Sequence, residues 1–586
     1  LYEIAMMFVL IVLSILPNLS FEGKLTTELH SQLASVREGE QIYVIVQMQQ
    51  RYPYEEIENL SVHGRAQIFK KIAKESQRPL IDYLRQFPDK VDEIKQFWIF
   101  NGISMKVAKD IIEEIAKRED VWLVSHEEKI TLPPVEEGRR IACQGIEWNI
   151  QKVMADHCWR AGYTGENILI GHIDTGCDIT HSALQGKWSG KWHDFISLQP
   201  IPYDDHGHGT TTAGIICGGD GLGPFENDIG AAPGVKLVIA KALSYSGIPQ
   251  PVIPAMQWMA ALKADSGCNI RAISNSWGGT TSLSYWETCK TLKALEIFPV
   301  FAVGNSGPTP RTAGSPGNYP LVIGVGATNN NDSIASFSSR GPAPDSSPWK
   351  DTINWYRRDW NLIKPDISAP GVNIRSSVPR DSYRVWLGTS MSTPHVAGAV
   401  AILCQVRPNV TVRELYNLLL DNADEPGQGV PYPNNNYGWG RLNIWRCLMA
   451  ISDKPYIQVL SRILTDSPPG GNGNGVLEPG ETGCMTVKVK NFGGGTGYNT
   501  TGVLKSYDNY IAINDGIYLY GRLGVNDTAS NSKRPYRVVC HTLAPQGHVA
   551  RLGLILHADG DSANFDDTLN FTIQIGNPPS PAALYE

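Results

Sequence analysis

The chain has 586 residues, 42% of them apolar and 19% charged, and its formal net charge is −7. That length exceeds a single hydrophobic core, so about three or four domains are expected. The modest negative charge, spread without long basic runs, argues against nucleic acid as a partner. The long apolar run Ile4–Leu16, closed by Pro17, is too short for a stable membrane span. It fits the apolar core of a secretory signal, so residues 1–22 read as an export segment and the protein as secreted, or extracellular. The 10 cysteines include no C-x-x-C pair, which argues against a zinc cage. Cys268 with Cys289 is one candidate disulfide in an exported protein.

Gln41–Gln47 is rich in β-branched residues and predicts a strand. Ala66–Phe87 carries a helical period, and Phe97–Val107 predicts a strand broken at Asn101-Gly102. Ala108–Lys117 predicts an amphipathic helix, with short strands at Val121–Val124 and Lys129–Leu132. Residues 38–133 thus form a small α+β unit, closed by Pro133-Pro134 and followed by a charged connector, Glu136–Arg140.

The texture changes from Ile146 and stays α/β over residues 145–452. Strands are expected at Ile168–Ile173, Lys236–Lys241, Ala272–Asn275, Pro299–Gly304 and Leu321–Ala327. Helices are expected at Thr210–Gly218, Ile253–Ala264 and Glu287–Leu295. Such alternation predicts a parallel sheet covered by helices on both faces, with ligands at the carboxyl ends of its strands. Asp174 and Asn305 both fall just past such an end. From about Asp453 the helical period disappears. Runs at Tyr456–Leu460, Met485–Val489, His548–Leu556 and Leu569–Ile575, separated by Gly/Asn/Asp turns, predict an all-β sandwich over 455–580.

Ser390 lies in Gly388-Thr389-Ser390-Met391-Ser392-Thr393-Pro394-His395. A helical pattern follows over Val396–Cys404, with Pro394 in its first turn, where the missing N–H costs nothing. Ser390 would then sit at the positive end of a helix dipole, which favours developing negative charge. Most serines before helices are simple N-caps, so Ser390 alone does not make a nucleophile. His208, in Asp204-Asp205-His206-Gly207-His208-Gly209-Thr210, suits a base; the H-x-H spacing also allows a metal, without a third ligand cluster nearby. Asp174 suits a strand-end cap or an orienting carboxylate, and Asn305 a left-handed turn or an amide donor.

Together these residues have the order Asp…His…Ser, with an asparagine between the last two, which is a known triad order. Residues 167 to 450 resemble the subtilisin-like serine proteases, the subtilases, through several motifs at once. These are Ile173-Asp174-Thr175-Gly176, Gly207-His208-Gly209-Thr210, Ala302-Val303-Gly304-Asn305 and Gly388-Thr389-Ser390-Met391. Phe337-Ser338-Ser339-Arg340-Gly341 and Lys364-Pro365-Asp366-Ile367-Ser368-Ala369-Pro370-Gly371 belong to the same set.

The resemblance implies that Ser390 attacks the scissile carbonyl of a protein or peptide substrate. His208 would transfer the proton, Asp174 would orient the imidazole, and Asn305 with the Ser390 N–H would bind the oxyanion. No cofactor is required for that chemistry. It further implies that Ser276-Trp277-Gly278 pairs with substrate backbone, and that Gly314 floors an S1 pocket open to a large apolar side chain. His206 is the wrong triad candidate by this resemblance, and His395 is structural. Residues 38–133 resemble the inhibitory propeptides of these proteases, so the protein's own propeptide would act as intramolecular inhibitor until self-cleavage between about Glu128 and Cys143. Three departures stand out. Thr211-Thr212 replaces the usual His-Val, Cys177 and Cys217 lie close to the triad in sequence and invite sensitivity to mercurials, and Asp351–Arg358 is an insertion. Gly471–Glu481 resembles acidic loops of bacterial extracellular β-sandwiches, some of which bind calcium, but a tight Gly/Asn turn is an equal reading. An esterase of α/β-hydrolase type would need G-x-S-x-G and another residue order, which this chain lacks. A binding protein on an inactive scaffold would be free to lose the triad residues, all of which are present.

Overall fold

Apolar alternation builds the first sheet. β1 (Gln41–Met48) pairs antiparallel with β3 (Gly102–Ala108) and β4 (Val121–His126), and β2 (Val91–Phe97) pairs with β3. The order is β2-β3-β1-β4, with the helices Val62–Leu84 and Lys109–Lys117 in the two crossovers. This is the β-α-β-β-α-β order of a ferredoxin-like unit. Ser61 caps the first helix by accepting the Gly64 N–H. Leu80, Ile81 and Leu84 of one helix, and Ile111, Ile112 and Ile115 of the other, share a core with Val44, Val46, Ile103 and Met105. The single strand expected over 97–107 is in fact a hairpin of β2 and β3. β2 buries only its ends, Val91 and Phe97. As an edge strand it needs no apolar alternation to keep its place.

These coordinates are a computed structural model that describes residues 24–37, 39–126, 130, 145–219, 228–244, 250–426 and 430–576. The export segment, the connector 136–140, Cys143 and, apart from Ile130, the strand expected at 129–132 lie outside the described residues. The chain forms two compact units. One comprises residues up to Asn149, Glu166–Ala401 and Pro426–Trp439; the other comprises Ile150–Gly165, Ile402–Glu425 and residues from Gly440.

The first unit also holds a seven-stranded sheet in the order β11-β10-β9-β8-β5-β7-β6. Its strands are β5 (Leu169–Asp174), β6 (Trp188–Asp194), β7 (Lys236–Lys241), β8 (Ile270–Asn275), β9 (Phe298–Ala302), β10 (Ile323–Thr328) and β11 (Ile367–Pro370). Every neighbouring pair is parallel. β6 escaped the sequence reading because it is an edge strand that is largely part-exposed. The order reverses between β5 and β8, so the ligand crevice belongs at their carboxyl ends. A hairpin of β12 (Ile374–Val378) and β13 (Ser382–Trp386) precedes the Ser390 helix.

That helix runs Thr389–Val406, not Val396–Cys404, and it contains Pro394. Pro394 has no N–H to offer the Ser390 carbonyl four residues back. The Ser276 hydroxyl takes that place, donating to Ser390 O at 2.8 Å.

In the second unit the helix Val412–Asp421 opens with a capping box of Thr411 and Glu414. Two sheets follow. One has the order β14 (Ile457–Thr465), β15 (Thr482–Asn491), β20 (Tyr536–Cys540), β17 (Ile511–Asp515), with β19 (Thr528–Ser530) paired to β15, and the other the order β18 (Ile517–Leu523), β16 (Gly497–Ser506), β21 (Val549–Asp559), β22 (Phe565–Gln574). Their strands, β14 (Ile457–Thr465) to β22 (Phe565–Gln574), enclose a core that includes Val487, Val538, Leu554 and Tyr536. Cys268 and Cys289 do not pair. Both are free thiols, Cys289 buried within the helix Trp286–Ala294 and Cys268 part-exposed ahead of β8. Among the described residues no helix is long and apolar enough to cross a membrane.

Candidate active site

β5 carries Asp174 to its carboxyl end, and the helix His208–Cys217 begins at His208. Both side chains are 1% exposed. His208 Nδ1 lies 2.7 Å from Asp174 Oδ1, the geometry of a buried imidazole donating to a carboxylate. Burial by itself would raise the Asp174 pKa. The His208 charge and hydrogen bond, His172 and the Thr175 N–H outweigh it and hold the carboxyl below its ordinary value. Burial likewise pulls His208 down, but the Asp174 charge and hydrogen bond, with Asp204 behind them, lift it above an ordinary imidazole. His208 Nε2 is buried and has no hydrogen-bond partner among the described residues.

Ser390 is 1% exposed, in the first turn of its helix. Its hydroxyl donates to Ser276 O at 2.9 Å. Asn305 Oδ1 accepts from the Thr389 N–H and hydroxyl. Its Nδ2 therefore faces the other way, toward Gly388. A Cβ built on Gly388 would lie 3.3 Å from Asn305 Nδ2 and 3.7 Å from Ser390 N. Those two donors converge on a space that only glycine leaves open, and Gly388 has φ 145°. The left-handed position beside Asn305 is Gly304, at φ 110°, so Asn305 is not the turn residue.

Ser276–Gly279 and Gly314–Tyr319 brace each other. Gly279 N–H donates to Ser315 O at 2.9 Å, and the Tyr319 hydroxyl to Ser282 O at 2.7 Å. A Cβ on Gly314 would come within 2.2 Å of Gly279 O, so this glycine allows two backbones to approach. A Cβ on Gly278 would sit 3.1 Å from Ser315 O. Trp277 is buried: its indole N–H donates to Ile173 O at 3.2 Å and its ring packs on Tyr285 and Phe301. The Trp277 side chain thus ties β5 to the segment after β8. Just ahead of the insertion, Trp349 packs on Trp286 and Tyr319 and its N–H points at Asn318 Oδ1, while Tyr356 within the insertion donates its hydroxyl hydrogen to Leu321 O at 3.0 Å.

Sequence reasoning missed Asp204 as a hub. Its carboxylate accepts from the Thr175 hydroxyl, the His206, Gly207 and Thr210 N–H groups and the Thr210 hydroxyl. It thereby joins the turn after Asp174 to the helix that starts at His208. The motif around Asp204 was visible, but the donors come from two separated segments. His206 is outside the Asp174–His208 pair, and its Nδ1 accepts the His208 N–H at 3.1 Å. His395 is buried between Met391 O and Asn149 Nδ2, and burial takes its pKa down to about 4, which fits a structural role. Cys177 and Cys217 are buried, and burial pushes both thiols up, Cys217 to about 12.

Among the described residues no group of three or more His, Cys, Asp or Glu side chains is arranged to hold a metal. Asp466 accepts the Gly473, Asn474 and Gly475 N–H groups, and Glu481 accepts those of Asn472 and Glu478. The carboxylates organise backbone here.

A parallel sheet with a buried Asp–His pair at its switch point, and a serine in the first turn of a helix, fits the class of serine hydrolases. Residues 165–440 match the model of the subtilase family. The chain is 30% identical over 306 residues to subtilisin DY of Bacillus licheniformis, covering 51% of this chain and 98% of that protein. It is 29% identical over 360 residues to subtilisin E of Bacillus subtilis (strain 168), covering 60% and 81%. It is 33% identical over 424 residues to bacillopeptidase F of the same organism, covering 66% of this chain and 28% of that protein. The chain belongs to the subtilase family and is a subtilisin-like serine peptidase, a hydrolase.

Proposed function

We propose that the chain is a secreted endopeptidase made as a self-cleaving zymogen, with Asp174, His208 and Ser390 as its triad. The observation that carries this reading is the buried 2.7 Å contact of His208 Nδ1 with Asp174, which leaves Nε2 unpaired for the serine proton. His208 takes the proton from Ser390 as Oγ attacks the scissile carbonyl, then returns it to the leaving amine. Asp174 holds the tautomer with hydrogen on Nδ1 and stabilises the imidazolium. The negative oxygen of the tetrahedral intermediate goes to Asn305 Nδ2 and Ser390 N–H, the donors that converge beside Gly388. No cofactor enters these steps.

Ser276, Trp277 and Gly278 would pair with substrate through their backbone, because the Trp277 indole is buried. With Gly314 at the floor, the S1 pocket takes a large apolar side chain. Strong preference for Lys or Arg at P1 in a peptide series would overturn that part of the reading.

The N-terminal module acts as the inhibitor. The contacts that support this lie on the helices Val252–Ser266 and Trp286–Ala294. Gln257 accepts the Trp98 and Ile99 N–H groups, Lys70 pairs with Asp265, and the Tyr54 hydroxyl meets Glu287 and Thr291. Export rests on the apolar run Ile4–Leu16.

The test is wild type beside Ser390→Ala, each followed by intact mass and fluorophosphonate labelling. Wild type should lose roughly its first 140 residues, the length that precedes the catalytic fold, and take the label; the variant should do neither. Two full-length, unlabelled proteins would overturn the reading.

A further inference from the structure

We propose that His172 and Thr212 are positioning residues for the catalytic carboxylate, a buried imidazole–hydroxyl pair that holds the second oxygen of Asp174. The proposal rests on the triad reading above. Thr212 stands where the family usually has valine, and His172 interrupts the apolar run Ile168–Ile173.

The geometry follows from two periodicities. His172 and Asp174 are two apart on β5 and share one face of the strand. Thr212 follows His208 by four on its helix and shares one face of that helix. Two strand positions thus meet two helix positions. One pair is Asp174 with His208. The other is His172 with Thr212, whose Nε2 and Oγ1 are 2.8 Å apart. A link joins the pairs: the Thr212 hydroxyl lies 3.2 Å from Asp174 Oδ2. His172, Thr212 and Asp174 are all essentially buried.

Hydrogen accounting sets the direction. Asp174 Oδ1 already accepts from His208 Nδ1 and the Thr175 N–H. Among the described residues Thr212 is the one donor to Oδ2. An ionised carboxylate only accepts, so the single threonine hydrogen goes to Asp174 rather than to Gly209 O, also 3.2 Å away. Thr212 Oγ1 is then free to accept from His172 Nε2–H. The other tautomer would bury a donor at His172 Nδ1, which has no partner among the described residues, and would draw the hydroxyl away from Asp174. The chain therefore runs from imidazole N–H to hydroxyl to carboxylate, each bond polarising the next. Burial lowers the His172 pKa, which keeps this ring neutral as the arrangement requires. The other titratable groups facing the cluster are Asp204 and His206 before the helix, Cys177 after β5, Cys217 on the helix, and Lys241 on β7.

Removing the hydroxyl leaves Oδ2 unpaired, and the carboxylate becomes a stronger base. That strengthens its hold on a charged His208, so the acid limb of the rate profile should move to higher pH. A packing role alone would not move it.

The test compares mature wild type with Thr212→Val, Thr212→Ser and the double variant His172→Val/Thr212→Val on one peptide substrate. Thr212→Val should lower kcat by roughly 10–100-fold at nearly constant KM and raise the acid limb by about half a pH unit. Thr212→Ser should restore both. The double variant removes the imidazole left without its hydroxyl, so its melting temperature should recover while kcat and the limb stay displaced. Its apolar filling keeps the question open to measurement if Thr212→Val alone fails to mature. Unchanged kcat and pH limb in the valine variants, or full recovery of activity in the double variant, would overturn the proposal. Fluorophosphonate labelling of wild type separates the two levels. An unlabelled wild type removes the triad reading itself, whereas a labelled one with indifferent variants removes only the His172–Thr212 role.

Discussion

Asn305 Oδ1 accepts two hydrogen bonds from one residue, the N–H and the hydroxyl of Thr389, each at 2.9 Å. An N–H cannot accept, so the amide orientation follows, and Nδ2 is held toward Gly388 and the Ser390 N–H. Asn305→Ala should lower kcat by about 100- to 1,000-fold with KM little changed, since in the proposed mechanism the donor acts on the developing oxyanion. Gly388→Ala should do comparable damage by filling the same space. Steady-state kinetics on a chromogenic peptide would check both, and a loss confined to KM would contradict the assignment.

The pH profile carries a sign. On the proposed triad His208 must be neutral to accept the serine proton, and Asp174 holds its pKa above an ordinary imidazole despite burial. Log kcat/KM should therefore rise with pH through a midpoint above about 6.5, the unperturbed histidine value. Asp174→Asn removes the charge and the tautomer control, and should cost about 10,000-fold in kcat. For stability the same pair runs in opposite directions. The His208 contribution is complete below about 6.5 and is lost as pH rises through its raised folded value. The Asp174 contribution is present above about 3.9 and is lost as pH falls through its depressed folded value.

Lys364 and Asp366 form an ion pair at 2.5 Å with both side chains fully buried. The lysine also donates to Tyr319 O, and the aspartate accepts from the Trp360 indole and the Gly324 N–H. Asp366→Ala would strand a buried ammonium and should destabilise the catalytic unit by about 3–5 kcal/mol. Lys364→Met/Asp366→Leu should cost much less. Denaturant unfolding of both in a Ser390→Ala background, which blocks autolysis, would distinguish them. Equal losses would show that the charges are not what the site responds to.

Gln257 holds two consecutive main-chain N–H groups of the N-terminal module, from Trp98 and Ile99. Gln257→Ala leaves both without that acceptor, at about 1–3 kcal/mol for a buried donor. The exposed Lys70–Asp265 pair should matter less, within about 1 kcal/mol, because solvent screens it. With the module as the proposed self-cleaved inhibitor, activity in the first minutes after cleavage should therefore rise faster in Gln257→Ala than in Lys70→Ala. The reverse order would place the grip of the module on charge.

The thiols of Cys177 and Cys217 are buried and held protonated. Thiolate is the reactive form. Iodoacetamide should leave both unlabelled in the folded enzyme and label them after denaturation, as read by peptide mass. Labelling of the native protein with loss of activity would restore the sensitivity expected from their places in the sequence.

Much of this molecule is legible in one dimension. The parallel strands β5, β7 and β8 are short, apolar runs, and their limits follow from composition because both faces of such a sheet are covered. Asp174, His208, Asn305 and Ser390 were visible because each lies in a local motif beside a turn or helix start. The edge strands β2 and β6 were not legible, since an edge carries no apolar signature. The start of the Ser390 helix was misplaced because the partner that makes Pro394 acceptable, the Ser276 hydroxyl, is 114 residues away. The same holds for the chemistry. Local sequence determines which side chains are available and where backbone can turn. Only the tertiary structure decides that Asp204 gathers donors from two segments, that Trp277 is buried, and that a histidine and a threonine stand behind the Asp174 carboxylate. Hydrogen-bond partners and burial are properties of neighbours in space, and those neighbours are distant in the chain.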